Sequence, residues 1–296
     1  MKSHRPATHR RLASTALLCA TVYVSSVSAE TIVGLTPNNT LVTLDSSNPG
    51  TLATSQVVMG LSEGERLVGI DYRPATGQLY GLGRSSRLYT IDLATAQASM
   101  VGTSSFDPIL AGDAFGFDFN PTVDRIRVVS DSGQNLRLHP VTGAAVATDK
   151  GLNYSSMDPS VGQSPQVVGS AYTQNRAGAV STTLYGIDSV MDTLVRQVPP
   201  NDGVLSTVGS LGVNFTDMAG FDISGASGSA FASLVKAGES WSGLYSIDLN
   251  TGNASWLGDI GSRQAFTDIT VVPEPSWLGL AALAGSAFFL MRKRIG

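Results

Sequence analysis

Four aspartates stand at matching places in a repeated phrase: Gly69-Ile70-Asp71-Tyr72, Gly116-Phe117-Asp118-Phe119, Gly220-Phe221-Asp222-Ile223 and Phe266-Thr267-Asp268-Ile269. Side chains alternate along a strand, so equivalent positions in successive repeats point the same way and converge about one axis. Three roles are open to such a ring. Its oxygens can hold a hard cation such as calcium. Two of the acids, one protonated by its neighbours' charge and one ionised, can cleave a glycosidic bond. Or each carboxylate can take backbone N–H groups or an arginine from the next repeat, for which Arg73, Arg125 and Arg127 are well distributed. A weaker echo, Gly169-Ser170-Ala171-Tyr172, has alanine at the aspartate position.

Other chemistry is scarce. His4, His9 and Cys19 fall in the first 29 residues, which leaves the rest of the chain one histidine, His139, and no cysteine. Zinc sites of the usual His and Cys type need more ligands than that. His139 precedes Pro140 at the turn position where other repeats carry Asp45, Asp92 and Asp248, so it reads as a turn cap. Gly81-Leu82-Gly83 lies in a hairpin with no helix after it and is no phosphate loop. Trp241, in the polar, Gly-rich segment 236–243, is the aromatic expected to be exposed and able to stack on a sugar ring.

The elements that position these residues are short β-branched or aromatic runs separated by Gly, Asn, Asp and Pro, with no sustained helical period. A second strand follows each phrase, and these begin at residues 32, 79, 126, 184 and 230, spaced by 47, 47, 58 and 46. Third and fourth strands complete each unit. The expected fold is all-β: a propeller of five four-stranded blades, with a non-propeller β-sandwich as the alternative. Because the chain starts at a second strand and ends on a lone first strand at 266–271, pairing the two would close the ring and hide both edges. The segments 153–165 and 171–183 are expected to be surface loops.

Residues 1–29 read as a secretory signal peptide: a basic start, an apolar stretch from Leu12 to Val24, and small residues before Glu30. The propeller is expected over 30–272. At the other end, Pro273-Glu274-Pro275 is followed by an apolar run and then Arg292-Lys293-Arg294. This order resembles the bacterial PEP-CTERM sorting signal. The resemblance implies that segment 273–296, with its transmembrane stretch, inserts transiently in the membrane and is processed by an exosortase in a Gram-negative bacterium that makes exopolysaccharide. An uncleaved single-span anchor is the alternative. Between the ends, residues 30–275 hold 12 basic and 23 acidic residues, a balance of −11. Nucleic acid is therefore excluded as a natural partner, since its affinity comes from Lys and Arg set against phosphates.

Two stretches, Asn120-Pro121-Thr122-Val123-Asp124-Arg125-Ile126-Arg127-Val128-Val129-Ser130 with Gly133-Gln134-Asn135-Leu136-Arg137, and Leu184-Tyr185-Gly186-Ile187-Asp188 with Asp192-Thr193-Leu194-Val195-Arg196-Gln197, resemble the bacterial secreted family catalogued as domain of unknown function 4394. That likeness implies one secreted domain and assigns no catalytic residue. The expected function is a non-catalytic binding module of the cell surface or biofilm matrix, with exopolysaccharide or a matrix protein as its partner. An extracellular carbohydrate-active enzyme using paired aspartates and a protein-interaction scaffold are the alternatives. Tagged protein in its native host, with and without residues 273–296, should differ in release and molecular mass. Identical behaviour of the two removes the case for tail processing.

Overall fold

A computed structural model describes residue 1 and residues 29–273 of the chain; the leader, and the tail from Glu274 onward, lie outside the described residues. The first unit supplies β1 (Thr31–Leu35), β2 (Thr40–Asp45) and β3 (Asn48–Val57). The second consists of β4 (Leu67–Arg73), β5 (Gln78–Gly83), β6 (Arg87–Asp92) and β7 (Gln97–Val101). The third comprises β8 (Phe115–Asn120), β9 (Arg125–Ser130), β10 (Asn135–Leu138) and β11 (Ala145–Thr148). After β12 (Asn153–Tyr154), the fourth runs through β13 (Val167–Tyr172), β14 (Leu184–Asp188), β15 (Thr193–Gln197) and β16 (Val204–Ser210). The fifth is β17 (Phe215–Ile223), β18 (Ala230–Lys236), β19 (Ser242–Ile247) and β20 (Ala254–Asp259), and β21 (Asp268–Val271) ends the series.

Each unit is one antiparallel sheet, and the inner strands β4, β8, β13, β17 and β21 pack against one another in a closed circuit. This is the five-bladed propeller that the repeat predicts. β21 pairs with β1, setting Ile32 opposite Val271 and Leu35 opposite Asp268, so the last strand completes the first blade. Every strand among the described residues lies between Thr31 and Val271, and the domain closes on itself.

The expected loop at 153–165 is partly a strand: β12 adds to the outer edge of the fourth blade, parallel to β16. Burial of Leu152 and Tyr154 against Val195 and Leu205 holds it there. Such a two-residue element is too short for sequence periodicity to show.

Five apolar clusters hold the ring, one at each interface between consecutive blades. The smallest lies between blades 3 and 4, where a fully buried arginine, Arg127, takes the place of apolar side chains. Turns between strands three and four use one device: Asp45, Asp92 and Asp248 accept backbone N–H groups two residues on, from Ser47, Ala94 and Asn250. His139 Nδ1 does the same for the Val141 N–H at 3.2 Å, the turn-capping role its position predicts.

The glycine of the repeated phrase is a close-approach residue. A methyl group on Gly220 would sit 2.4 Å from Ile269 N, and one on Gly116 would sit 2.7 Å from Ser170 N, in each case on the next blade's inner strand. Gly220→Ala should therefore destabilise the domain by about 1–3 kcal/mol through overpacking. Urea denaturation measures this, and an unchanged midpoint would mean that the inner strands do not approach so closely.

Candidate functional site

Strand pairing places the axial residues in register. Asp71, Asp118 and Asp222 face Tyr80, Arg127 and Phe231 of their second strands, and Ala171 faces Tyr185. In the first blade Gly34, which matches Gly81, lies opposite Ile269. The residue equivalent to Asp71 is therefore Thr270, and Asp268 matches Gly69. This corrects the four-aspartate ring: Asp71, Asp118 and Asp222 converge with Thr270, while Asp268 stands two residues earlier on the same face. Aligning Asp268-Ile269-Thr270-Val271, rather than 266–269, with Gly220-Phe221-Asp222-Ile223 is the sequence signal for this register.

The carboxylates follow one rule. Asp71 Oδ2 accepts the Phe119 N–H at 2.8 Å, Asp222 Oδ2 the Val271 N–H at 2.6 Å, and Asp268 Oδ2 the Ile70 N–H at 2.8 Å, each on the next blade. The other oxygen of Asp71, Asp222 and Asp268 accepts the N–H of its own following residue, at 2.7, 2.6 and 2.9 Å. This is the stitching role, performed through backbone N–H groups. Among the described residues no arginine pairs with the ring: Arg73 binds Asp124 of the third blade, and Arg127 binds Asp149.

All four carboxylates are buried, none more than 4% exposed. Loss of water, opposed by the hydrogen bonds, pushes Asp222 up to about 6. Burial first, then repulsion from Asp222, holds Asp71 well above the usual carboxylate range; burial and the charges of Asp71 and Asp222 do the same for Asp118. Burial also raises Asp268.

Hydrogen-bond accounting agrees. Thr270 Oγ1 lies 3.0 Å from both Asp71 Oδ1 and Asp222 Oδ2, yet a hydroxyl has one hydrogen to give, so satisfying both contacts requires a proton on one aspartate. Asp118 Oδ1 is buried with no hydrogen-bond partner.

The ring is compatible with a cation. Oxygens of Asp71, Asp118 and Asp222 lie within 4.8 Å of one another, the spread that ligands at about 2.4 Å from one calcium would have. These three would hold it, the orphaned Asp118 oxygen would gain a partner, and the ion would neutralise the buried charge.

Trp241 is half-buried, and the Arg263 guanidinium covers its ring at 4.5 Å from the centroid. The exposed tryptophan is Trp256, 60% accessible on β20, the outermost strand of the fifth blade. Sequence polarity around Trp241 pointed away from it, because an edge strand exposes alternate side chains whatever its composition.

Two of the cavities outside the ring involve the inner strands. One of about 360 Å³ is axial, lined from all five blades by residues that include Pro37, Arg66, Asp113, Val168, Asp217 and Thr267; no ring aspartate lines it. The other, about 230 Å³, lies between blades 3 and 4.

Because burial raises these carboxyls, the folded state binds more protons than the unfolded one. Stability should be fully present below the ordinary value of 3.8 and fall as pH rises through about 6 and beyond. In a chelator, the melting temperature of residues 30–272 should therefore drop between pH 5 and 8, and Asp118→Asn should flatten the drop. At pH 8, calcium at a hundredfold excess over its Kd should restore about 2.7 kcal/mol. A melting temperature indifferent to both pH and calcium would sink the account of the ring.

No curated protein matches the chain. Among solved structures, Hydrazine Synthase of Kuenenia stuttgartiensis is similar at 14% sequence identity and a TM-score of 0.38, with 68% of this chain covered and 53% of that one. The chain thus spans about half the length of that structure. The family described as Domain of unknown function (DUF4394) matches residues 40–270, from the first residue of β2 into β21. A match that takes in all of the propeller strands from β2 to β20 and most of β21 shows that the chain belongs to the DUF4394 family.

Proposed function

We propose that this protein is an exported binding propeller with no chemistry of its own, held at the surface or in the exopolysaccharide matrix of a Gram-negative bacterium after an exosortase has processed its tail. The observation that carries the non-catalytic reading is the state of the axial aspartates. Glycosidic cleavage requires one acid and one carboxylate flanking the scissile bond. Here the candidate acids are buried, two N–H groups occupy each of Asp71, Asp222 and Asp268, and the axial cavity is not lined by any of them. Burial leaves no pair of these carboxyls exposed to flank a glycosidic bond. Support for export comes from the leader and tail sequences, and the acidic balance of the body suits a partner other than nucleic acid.

A rigid closed ring with an axial cavity in the size range of ligand pockets suits recognition of a small polar group. Purified residues 30–272 should bind exopolysaccharide from the producing bacterium while releasing no reducing ends, with or without calcium. Asp222→Asn should lower stability and leave binding by the folded fraction intact. Release of reducing ends that Asp118→Asn or Asp222→Asn abolishes would overturn this reading in favour of an enzyme. Absence of any polysaccharide binding would overturn it in favour of a protein-interaction scaffold.

A further inference from the structure

The cavity between blades 3 and 4 lies where inner strand β8 ends at Asn120, on the side of the ring away from the axial cavity. Three arginines, Arg125, Arg127 and Arg137, are among the residues that line it, and no acidic residue is. Behind them a single buried acid, Asp149, is shared: Arg127 Nη1 donates to its Oδ2 at 2.5 Å, and Arg137 donates through Nε at 2.8 Å and Nη2 at 3.0 Å. Arg125 Nη1 donates only to the carbonyl oxygens of Val123 and Asp124, and the Asp124 carboxylate is taken by Arg73. Among the described residues, Arg125 Nη2 and Arg137 Nη1 meet no protein acceptor. The residues around the cavity, three arginines and one shared aspartate, therefore carry two positive charges in excess, in a body whose overall balance is −11.

The wall is built rather than incidental. Arg127 is 2% exposed, and its guanidinium is fixed by the side-chain oxygens of Asn135 at 2.7 Å and Asn201 at 2.8 Å as well as by Asp149. A fixed guanidinium loses little freedom when a ligand arrives, and planar forks of this kind match a carboxylate. The Asn120 and Asn201 side chains add amide groups, while Val123 and Pro200 add apolar surface. The volume, about 230 Å³, is below that of pockets for drug-sized ligands, so it suits one small group.

We infer that this cavity binds the carboxylate of a uronic acid residue. The inference deepens the binding-module reading and rests on it for the polymer that would carry such a residue.

Calorimetric titration of residues 30–272 with D-glucuronate, D-glucose and inorganic phosphate tests it. Glucuronate should bind, glucose should not, and the affinity should fall as salt is raised. Arg125→Gln, which loses only bonds to backbone carbonyls, should weaken glucuronate about tenfold or more with unchanged melting temperature, whereas Arg137→Gln should weaken it by as much and also lower the melting temperature, since it breaks the paired bonds to buried Asp149. Glucuronate binding no better than glucose, or binding unaffected by both variants, would overturn the assignment, and phosphate binding as tightly as glucuronate would overturn its sugar part. Exopolysaccharide binding that survives the double variant would leave the binding-module reading standing while this site fails. Glucuronate binding lost in the variants, without polysaccharide binding by the wild type, would do the reverse.

Discussion

Closing five sheets into a ring creates a hydrogen-bonding problem at the centre. The inner edge of every first strand carries N–H groups with no neighbouring strand in their own sheet, and backbone donors buried without partners are costly. Carboxylates solve it: Asp71, Asp222 and Asp268 each reach to the next blade and take one such N–H while holding one of their own. Glycine two residues before Asp71, Asp118 and Asp222 lets the strands come close enough. The Gly-x-Asp phrase is thus one unit of inter-blade joinery, and much else in the structure follows from it.

The solution has an electrostatic cost. Several acids are gathered in a volume from which water is excluded, and no described Lys or Arg pairs with them. Repulsion and desolvation are relieved by protons, by a cation, or by replacement of an acid at one position. The first and the last leave marks: raised carboxyl groups, and Ala171 and Thr270 where the repeat would otherwise put a fourth and fifth aspartate, while an oxygen of Asp118 stands without a partner. The arginines sit instead at the blade 3 to blade 4 interface, where Arg127 and Arg137 share Asp149 and the apolar cluster is smallest.

Much of this was legible in the sequence because a propeller repeats its physics. A period near 47 residues, short β-branched runs and Asp-bearing turns recur where each blade needs them, so the five blades and the terminal closure could be read directly. What repetition could not supply was the register of the one strand that departs from the phrase. Asp268 looked equivalent to Asp222, but only its pairing through Gly34 shows that Thr270 holds the place. Features outside the repeat were likewise hidden: β12 is two residues long, the cover on Trp241 comes from Arg263, and the charge excess around the small cavity combines residues of β9, β10 and the loop after β11.

The closing strand gives the domain a direction in time. Thr31 and Val271 mark the two ends of the described strand series, and β21, the last propeller strand in the sequence, provides the ladder for β1 and the acceptor for the Ile70 N–H, while the Val272 N–H just after it donates to the Thr31 carbonyl. Until it arrives, a nascent chain can complete four blades and part of a fifth while β1 keeps an open edge, the most distant contact in sequence being the last to form. A cut after Val272 spares the latch entirely. A cut a few residues earlier, before Asp268, would yield not a shorter propeller but an open one, prone to pair its free edge with another chain.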